Sequence, residues 1–325
     1  MKMKDVAMRA GVSLTTVSRV VNGDPIVQPQ FRERVLRAMK ELEYKPNRLA
    51  SNLRHQKSAM IGVVISDVAN PHFAQLVRAI EDIAYLQGYR VLVCNTDERA
   101  EKQHAYLEVL AAERVAGVMI SPVDLLDQEL EEILALGIPL IALDREIRDP
   151  RADAVLMNNV EGAHRATQLL IATGHQRIGL VAGTVDIQSG AERLMGYELA
   201  MREAGLEAHV VRSLSTAEQG ASAVEHLLEQ PLVPTALVVA NNLLAEGVCK
   251  TLRQRGLRIP EQMALVVIDD PTWAELVEPP LTALAQPIQQ LAASAVALLL
   301  ERITEQRQEP KRIVLEFEVH LRCSC

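Results

Sequence analysis

Apolar residues early in the chain recur at helical spacing. Val6, Ala7 and Ala10 form a short stripe, and Gly11 supplies a permissive backbone for a turn. Ser13 stands where a hydroxyl would cap a helix starting at Leu14. In that second helix Val17, Val20 and Val21 share one face, while Thr15, Ser18, Arg19 and Asn22 share the other at i, i+3, i+4 and i+7. A β-branched back behind a short polar front suits the recognition helix of a helix-turn-helix. An ordinary three-helix cap with a solvated face has the same spacing. Gln30 to Leu42 repeats Val35, Leu36, Met39 and Leu42, which predicts a third amphipathic helix. The next stretch, PNRLASNLR from Pro46 to Arg54, opens on a proline at a helix-start position. Nine residues are too few for an isolated helix. They hold Leu49, Ala50 and Leu53 with no core to cover them, so the segment is either a linker or a piece that folds on DNA, with Leu53 wedged into the minor groove.

From Met60 the period changes. MIGVVIS, YRVLVCN, AGVMIS, IPLIALD and DAVLMNN alternate with helical stretches such as Phe73 to Gln87 and Glu101 to Glu113. The rhythm restarts at HQRIGLVAG and continues through AHVVRSL, TALVVAN and MALVVID. This is βαβ alternation, which predicts an α/β protein with two doubly wound parallel sheets. Ligands of such sheets bind beyond the carboxyl ends of the strands, here in a cleft between the halves. Those ends carry Asp67, then Asn70-Pro71-His72-Phe73, Asp144-Arg145, Gly190 to Arg193, Asn241-Asn242 and Asp269-Asp270. Each alone could be a polar turn. Together they bring paired donors and acceptors, an arginine fork and one aromatic face, which suits a polyhydroxylated small molecule.

Composition changes this picture in one place. The chain of 325 residues is 49% hydrophobic, 23% charged and 3% aromatic, with a formal charge of −8, a poor match to a nucleic-acid binder. Divided after Lys57, it carries +7 in the head and −15 in the remainder. A basic head on an acidic body implies that only the head meets phosphate. Met1 to Val12 lacks the apolar run of a secretory signal, and no stretch is apolar enough to span a membrane, so the chain is expected in the cytoplasm. Cys94, Cys249, Cys323 and Cys325 make no C-x-x-C pair and are expected as free thiols. The sequence has no G-x-S-x-G, G-x-x-x-x-G-K-[ST], G-x-G-x-x-G or H-E-x-x-H, so no enzyme, cofactor or metal site is expected.

The opening DVAMRAGVSLTTVSRVVNG, the segment PNRLASNLR, and IGVVISDVANPHF, RLMGY and LTALAQP together resemble the lactose-repressor (LacI/GalR) family over essentially the whole chain. The resemblance implies an N-terminal three-helix head (1–45) and a hinge segment (46–57). A two-lobed core like a periplasmic binding protein would follow, one lobe from 58–160 and 287–312, the other from 161–286 and 313–325. It implies that Leu14, Thr15, Ser18 and Arg19 face the major groove, with Arg19 forking a guanine, worth about 1–3 kcal/mol of discrimination. Thr16 and Asn22 would position the helix on phosphates, and Leu53 would enter the minor groove. In the cleft it implies effector contacts from Asn70, His72, Phe73, Asp144, Arg145, Arg193, Asn241, Asp269 and Gln286. The expected protein is a homodimeric repressor on near-palindromic operator DNA, released or recruited by a sugar or sugar acid. Asn242 and Ile268 depart from the common pattern, and Trp273 either lines the cleft or packs at a domain corner. No aromatic stands near Leu214-Ser215, where purine-binding relatives stack the base. A purine effector, or a solute-binding protein that does not regulate DNA, remain the competing readings.

Overall fold

The computed structural model describes residues 3–21, 26–42, 44, 58–123, 128–304, 307 and 309–325. They fall into two compact units that divide after Lys57. In the first unit α1 (Met3–Ala10), α2 (Leu14–Val21) and α3 (Pro29–Glu41) enclose a small core. Val6, Ala7, Ala10, Val17, Val20, Val35 and Ala38 are buried in it. Leu36, expected on the inner stripe of the third helix, is instead exposed. The inner stripe runs through Phe31, Val35, Ala38, Met39 and Leu42, and Leu36 lies a third of a turn off it.

The second unit alternates as the apolar bursts predict. β1 (Met60–Ile65), α4 (Pro71–Leu86), β2 (Arg90–Asn95), α5 (Ala100–Ala112), β3 (Gly117–Ile120), α6 (Gln128–Ala135), β4 (Leu140–Leu143) and β5 (Asp153–Met157) build one lobe. The other takes α7 (Asn159–Ala172), β6 (Ile178–Ala182), α8 (Gln188–Glu203), β7 (His209–Arg212), α9 (Ala217–Leu228), β8 (Ala236–Val239), α10 (Asn242–Gln254), β9 (Ala264–Ile268) and β10 (Thr282–Ala285). The chain then returns to the first lobe with α11 (Ile288–Thr304) and β11 (Arg312–Leu315), and ends in the second with β12 (Glu318–His320).

The two sheets have matching strand orders, β11-β5-β4-β3-β1-β2 and β12-β10-β9-β8-β6-β7. Their pairings are parallel except the antiparallel β10–β12 edge. The central strands β3, β4, β8 and β9 are buried along their whole length, as sheets covered by helices on both faces require. The expected boundary after residue 312 cuts β11, which pairs with β5 from Arg312 to Leu315; the first lobe therefore extends to Leu315. The boundary at 160 likewise falls inside α7, which opens at Asn159. Both corrections arise because lobe membership is set by long-range pairing, which local periodicity does not report.

Candidate functional site

In the head, Gly11 takes φ +61° at the turn, and its carbonyl accepts from Arg34 Nη2 at 3.1 Å. Ser13 Oγ accepts from the backbone N–H of Thr16 at 3.1 Å, capping α2. Val17 and Val20 are buried, which turns the other face outward: Leu14, Thr15 and Arg19 are exposed, Thr16 and Ser18 half-buried. Asn22, Leu53 and the segment from Pro46 to Lys57 lie outside the described residues.

The second candidate site is a cleft between the lobes, enclosing about 540 Å³ of space that is partly continuous with solvent. All nine effector-contact candidates line it. From the first lobe, Asn70 caps α4, its Oδ1 accepting from the backbone of His72 at 3.0 Å. His72 and Phe73 follow, edge to face with ring centres 5.1 Å apart. Asp144 is the first residue beyond β4, at φ +63°, a left-handed conformation that costs a non-glycine residue energy and that tertiary contacts hold in place. Arg145 beside it is buried and forks onto Glu98, at 2.8 and 2.5 Å. Burial opposes its charge, but the hydrogen bonds to Glu98 and the nearby Asp144 more than offset it and raise its pKa.

The second lobe answers with Asp269, the first residue beyond β9 and also left-handed, at φ +71°. Gln286 donates to its Oδ1 at 2.7 Å. Arg193 is buried; its Nε donates to Asn159 Oδ1 at 2.9 Å and its Nη1 to the Ala240 carbonyl at 2.7 Å. Asn241 caps α10 by accepting from the Leu244 N–H at 2.8 Å. Direct bonds join the lobes: Asn242 Nδ2 donates to Asn70 Oδ1 at 3.0 Å, and Gln188 Oε1 accepts from the Glu146 N–H at 2.8 Å. Ser189 Oγ lies 3.4 Å from Asp144 Oδ2. His72 Nε2 and Gln286 Oε1 are buried without a protein partner, so each can serve a ligand.

Other strand-end residues turn elsewhere. Asp67 accepts from the Ala69 N–H within its own loop. Asp270 is held by Arg322 and His320. Trp273 packs against the hydrophobic core and is absent from the cleft lining. Sequence reasoning missed Glu98, Thr184, Ser189 and Ser215, which also line the cleft. The same strand-end rule, applied to β2 and β7, points to Glu98 and Ser215. Among the described residues no cluster of His, Cys, Asp and Glu could hold a metal, and no helix is long and apolar enough to cross a membrane.

A helix-turn-helix head ahead of a two-lobed cleft of this build defines a ligand-binding, DNA-binding transcriptional regulator. Residues 2–47 match the bacterial regulatory proteins of the lacI family, and residues 58–322 match the periplasmic binding proteins and sugar binding domain of LacI family. The chain belongs to the LacI family. It is similar to the HTH-type transcriptional repressor PurR of Pasteurella multocida, 33% identical over 98% of this chain and 96% of that one. Catabolite control protein A of Priestia megaterium is 32% identical, with 98% of both chains covered. Among solved structures, the Lac repressor dimer bound to operator and the anti-inducer ONPF superposes with a TM-score of 0.88, 32% identity, and 100% and 98% coverage. The transcriptional regulator CelR–cellobiose complex gives 0.75 and 33%, with both chains covered completely. These relatives are regulators, not enzymes.

Proposed function

We propose that the chain is a homodimeric repressor whose affinity for operator DNA is set by a sugar or sugar acid held in the cleft. The observation that carries the effector class is the lining itself: carboxylates, amides, two arginines and hydroxyls surround a single phenyl face, Phe73. Paired acceptors and donors match vicinal hydroxyls, and one aromatic face packs on the apolar side of a sugar ring. Likeness to a cellobiose-bound regulator supports the same reading. Likeness to PurR favours a purine as the second reading, but one phenyl ring offers a planar base no sandwich. In the head, Arg19 reads a guanine and Leu14, Thr15 and Ser18 face the major groove, with Thr16 and Asn22 on phosphates and Leu53 in the minor groove. Tyr85 and Leu86 on α4, with Leu92 and Val93 on β2, are exposed apolar residues that suit the dimer face. The regulator acts in the cytoplasm, at the nucleoid.

Effector binding biases lobe closure, and closure biases the ordering of the short hinge segments. Ordering a nine-residue segment costs about 1–2 kcal/mol of backbone entropy per residue, so a modest differential affinity can tip it. The test is binding to a palindromic promoter fragment while salt is varied, together with a thermal-shift screen of sugars, sugar acids and purines. A steep fall of log affinity with log salt is expected, and so is stabilisation by a sugar. Absence of DNA binding at low salt overturns the regulator reading for this chain, and stabilisation by purines alone overturns the effector class.

A further inference from the structure

Both terminal nitrogens of Arg145 are engaged by the protein, whereas its buried Nε has no hydrogen-bond partner. Its Nη1 donates to Glu98 Oε2 at 2.8 Å and to the Pro122 carbonyl at 3.0 Å, its Nη2 donates to Glu98 Oε1 at 2.5 Å, and its Nε lies 3.4 Å from Asp144 Oδ2. The arginine side chain is 3% exposed and the Glu98 side chain 42%, so Glu98 is the member of the pair that meets the cavity and solvent. Its backbone is left-handed, at φ +54°, next to Asp97 at +51°. Strain of this kind persists only where surrounding contacts hold it. Here they do: Asp97 accepts from Asn95 Nδ2 at 2.6 Å and pairs with Lys102, fixing the loop that presents Glu98.

An arginine in a cleft ordinarily clamps an anion, because its planar fork takes two oxygens at once. In this cleft Glu98 already fills the fork. At formal charge the lining sets Glu98, Asp144 and Asp269 against Arg145 and Arg193, leaving a net charge of −1. Arg193 is the one lining arginine whose hydrogen-bond partners are neutral, and these are Asn159 Oδ1 and the Ala240 carbonyl.

We infer that Glu98 is a specificity residue: by filling the Arg145 fork with a protein carboxylate, it excludes sugar acids and sugar phosphates and admits the uncharged polyhydroxylated ring. The inference rests on the reading of the cleft as a sugar site and narrows it. Glu98 acts by charge and by occupying Arg145, so an amide in its place keeps the shape and removes the exclusion.

The experiment measures dissociation constants on the full chain by titration calorimetry, using matched pairs: galactose with galacturonate, glucose with glucuronate, and ribose with ribose 5-phosphate. In the unmodified protein the neutral member of the pair that binds is expected to bind at least tenfold tighter than its charged counterpart. Glu98→Gln is expected to shrink that ratio about tenfold and to make binding of the charged member salt-dependent. Glu101→Gln, an exposed acid at the start of α5, is the control for general surface charge and should leave the ratio unchanged. A charged member that binds the unmodified protein as tightly as the neutral one overturns the inference. So does a ratio that Glu98→Gln leaves unchanged, or that Glu101→Gln moves equally. In each of those cases sugars still bind, and the sugar reading survives. If no member of any pair binds either protein, the sugar reading falls and this inference with it.

Discussion

The two lobes solve the same problem with different charges. Each has the same strand order, and each places a left-handed aspartate one residue beyond its β4 or β9 strand, Asp144 or Asp269. The next residue differs. In the first lobe Arg145 turns into the cleft wall and is matched there by Glu98. In the second lobe Asp270 is matched by His320, the last residue of β12, and by Arg322 just beyond it. Each lobe must also hold the chain that returns to it late in the sequence. The second lobe uses Asp270 for this. The first uses Asp153, whose carboxylate takes Arg302 at 2.8 Å, Arg307 at 2.5 Å and the Lys311 N–H at 2.7 Å. Both clamps are aspartates with two basic side chains as partners, but Asp153 is completely buried, whereas Asp270 is 14% exposed and its partner His320 41%. Burial decides what a charge pair is worth once it is broken, because water can replace the lost partner only at the exposed clamp.

That contrast gives the largest expected effect. Asp153→Ala removes the buried carboxylate that Arg302 and Arg307 share and should cost about 3–5 kcal/mol in urea unfolding. Asp270→Ala should cost about 1–3 kcal/mol, since Asp270 is itself partly exposed, His320 can reach solvent and Arg322 keeps Glu275 at 2.9 Å. Equal losses would break the comparison. The pH dependence follows with a definite sign. Burial alone would raise the pKa of Asp153, but the Arg302 and Arg307 bonds lower it below the usual value; Arg322 and His320 do the same for Asp270. A carboxyl with a depressed folded pKa contributes stability above its unfolded pKa, about 3.9, and loses it as pH falls through the folded value. The stability gap between the unmodified protein and Asp153→Ala should therefore narrow as pH drops below about 4.

The helix glycines of the second lobe and the strand glycines of the first also differ in what they face. In the second lobe a Cβ at Gly247 on α10 would overlap the Ala217 carbonyl oxygen at the start of α9, and one at Gly196 on α8 would overlap the Val160 carbonyl oxygen on α7. These helices pack backbone against backbone. In the first lobe Gly117 on β3 faces only the Leu299 side chain, and Gly62 on β1 only that of Leu110. A side chain can rotate away; a helical carbonyl cannot. Gly247→Ala should cost about 1–3 kcal/mol by overpacking, and Gly117→Ala less, read as a lower urea midpoint at unchanged slope. A larger loss at Gly117 would reverse the distinction.

Local patterns carried much of this architecture. The apolar bursts located the nine strands from β1 to β9, and reading the residues beyond their carboxyl ends gave eight of the nine positions that share one cleft; Gln286 followed only from the family resemblance. What escaped was non-local. β11 and β12 are short and belong to lobes that the chain leaves and re-enters, so membership depends on partners far away in sequence. The Glu98–Arg145 pair joins residues 47 apart, and no spacing rule connects them. Leu36 is exposed because it lies a third of a turn beyond Val35, outside the arc of Phe31, Val35, Ala38 and Leu42. The left-handed aspartates carry no signature that distinguishes them from ordinary turn residues.

The smallest expected effect tests the joint between the lobes. Asn242 departs from the residue common in the family, and its amide donates across the cleft to Asn70 Oδ1. That oxygen cannot turn away, because it also caps α4 by accepting from the His72 N–H. Asn242→Ala removes one neutral hydrogen bond, worth about 1 kcal/mol, from the lobe-closed arrangement. The expected result is about a fivefold weaker affinity for whichever sugar the thermal-shift screen identifies, with overall stability nearly unchanged. Asn242→Asp replaces the donor with a carboxylate oxygen facing the fixed Asn70 oxygen and should weaken binding at least as much. Unchanged calorimetric affinity in both variants would show that this bond takes no part in closure, leaving Gln188 and Ser189 as the lobe-to-lobe contacts that a ligand reinforces.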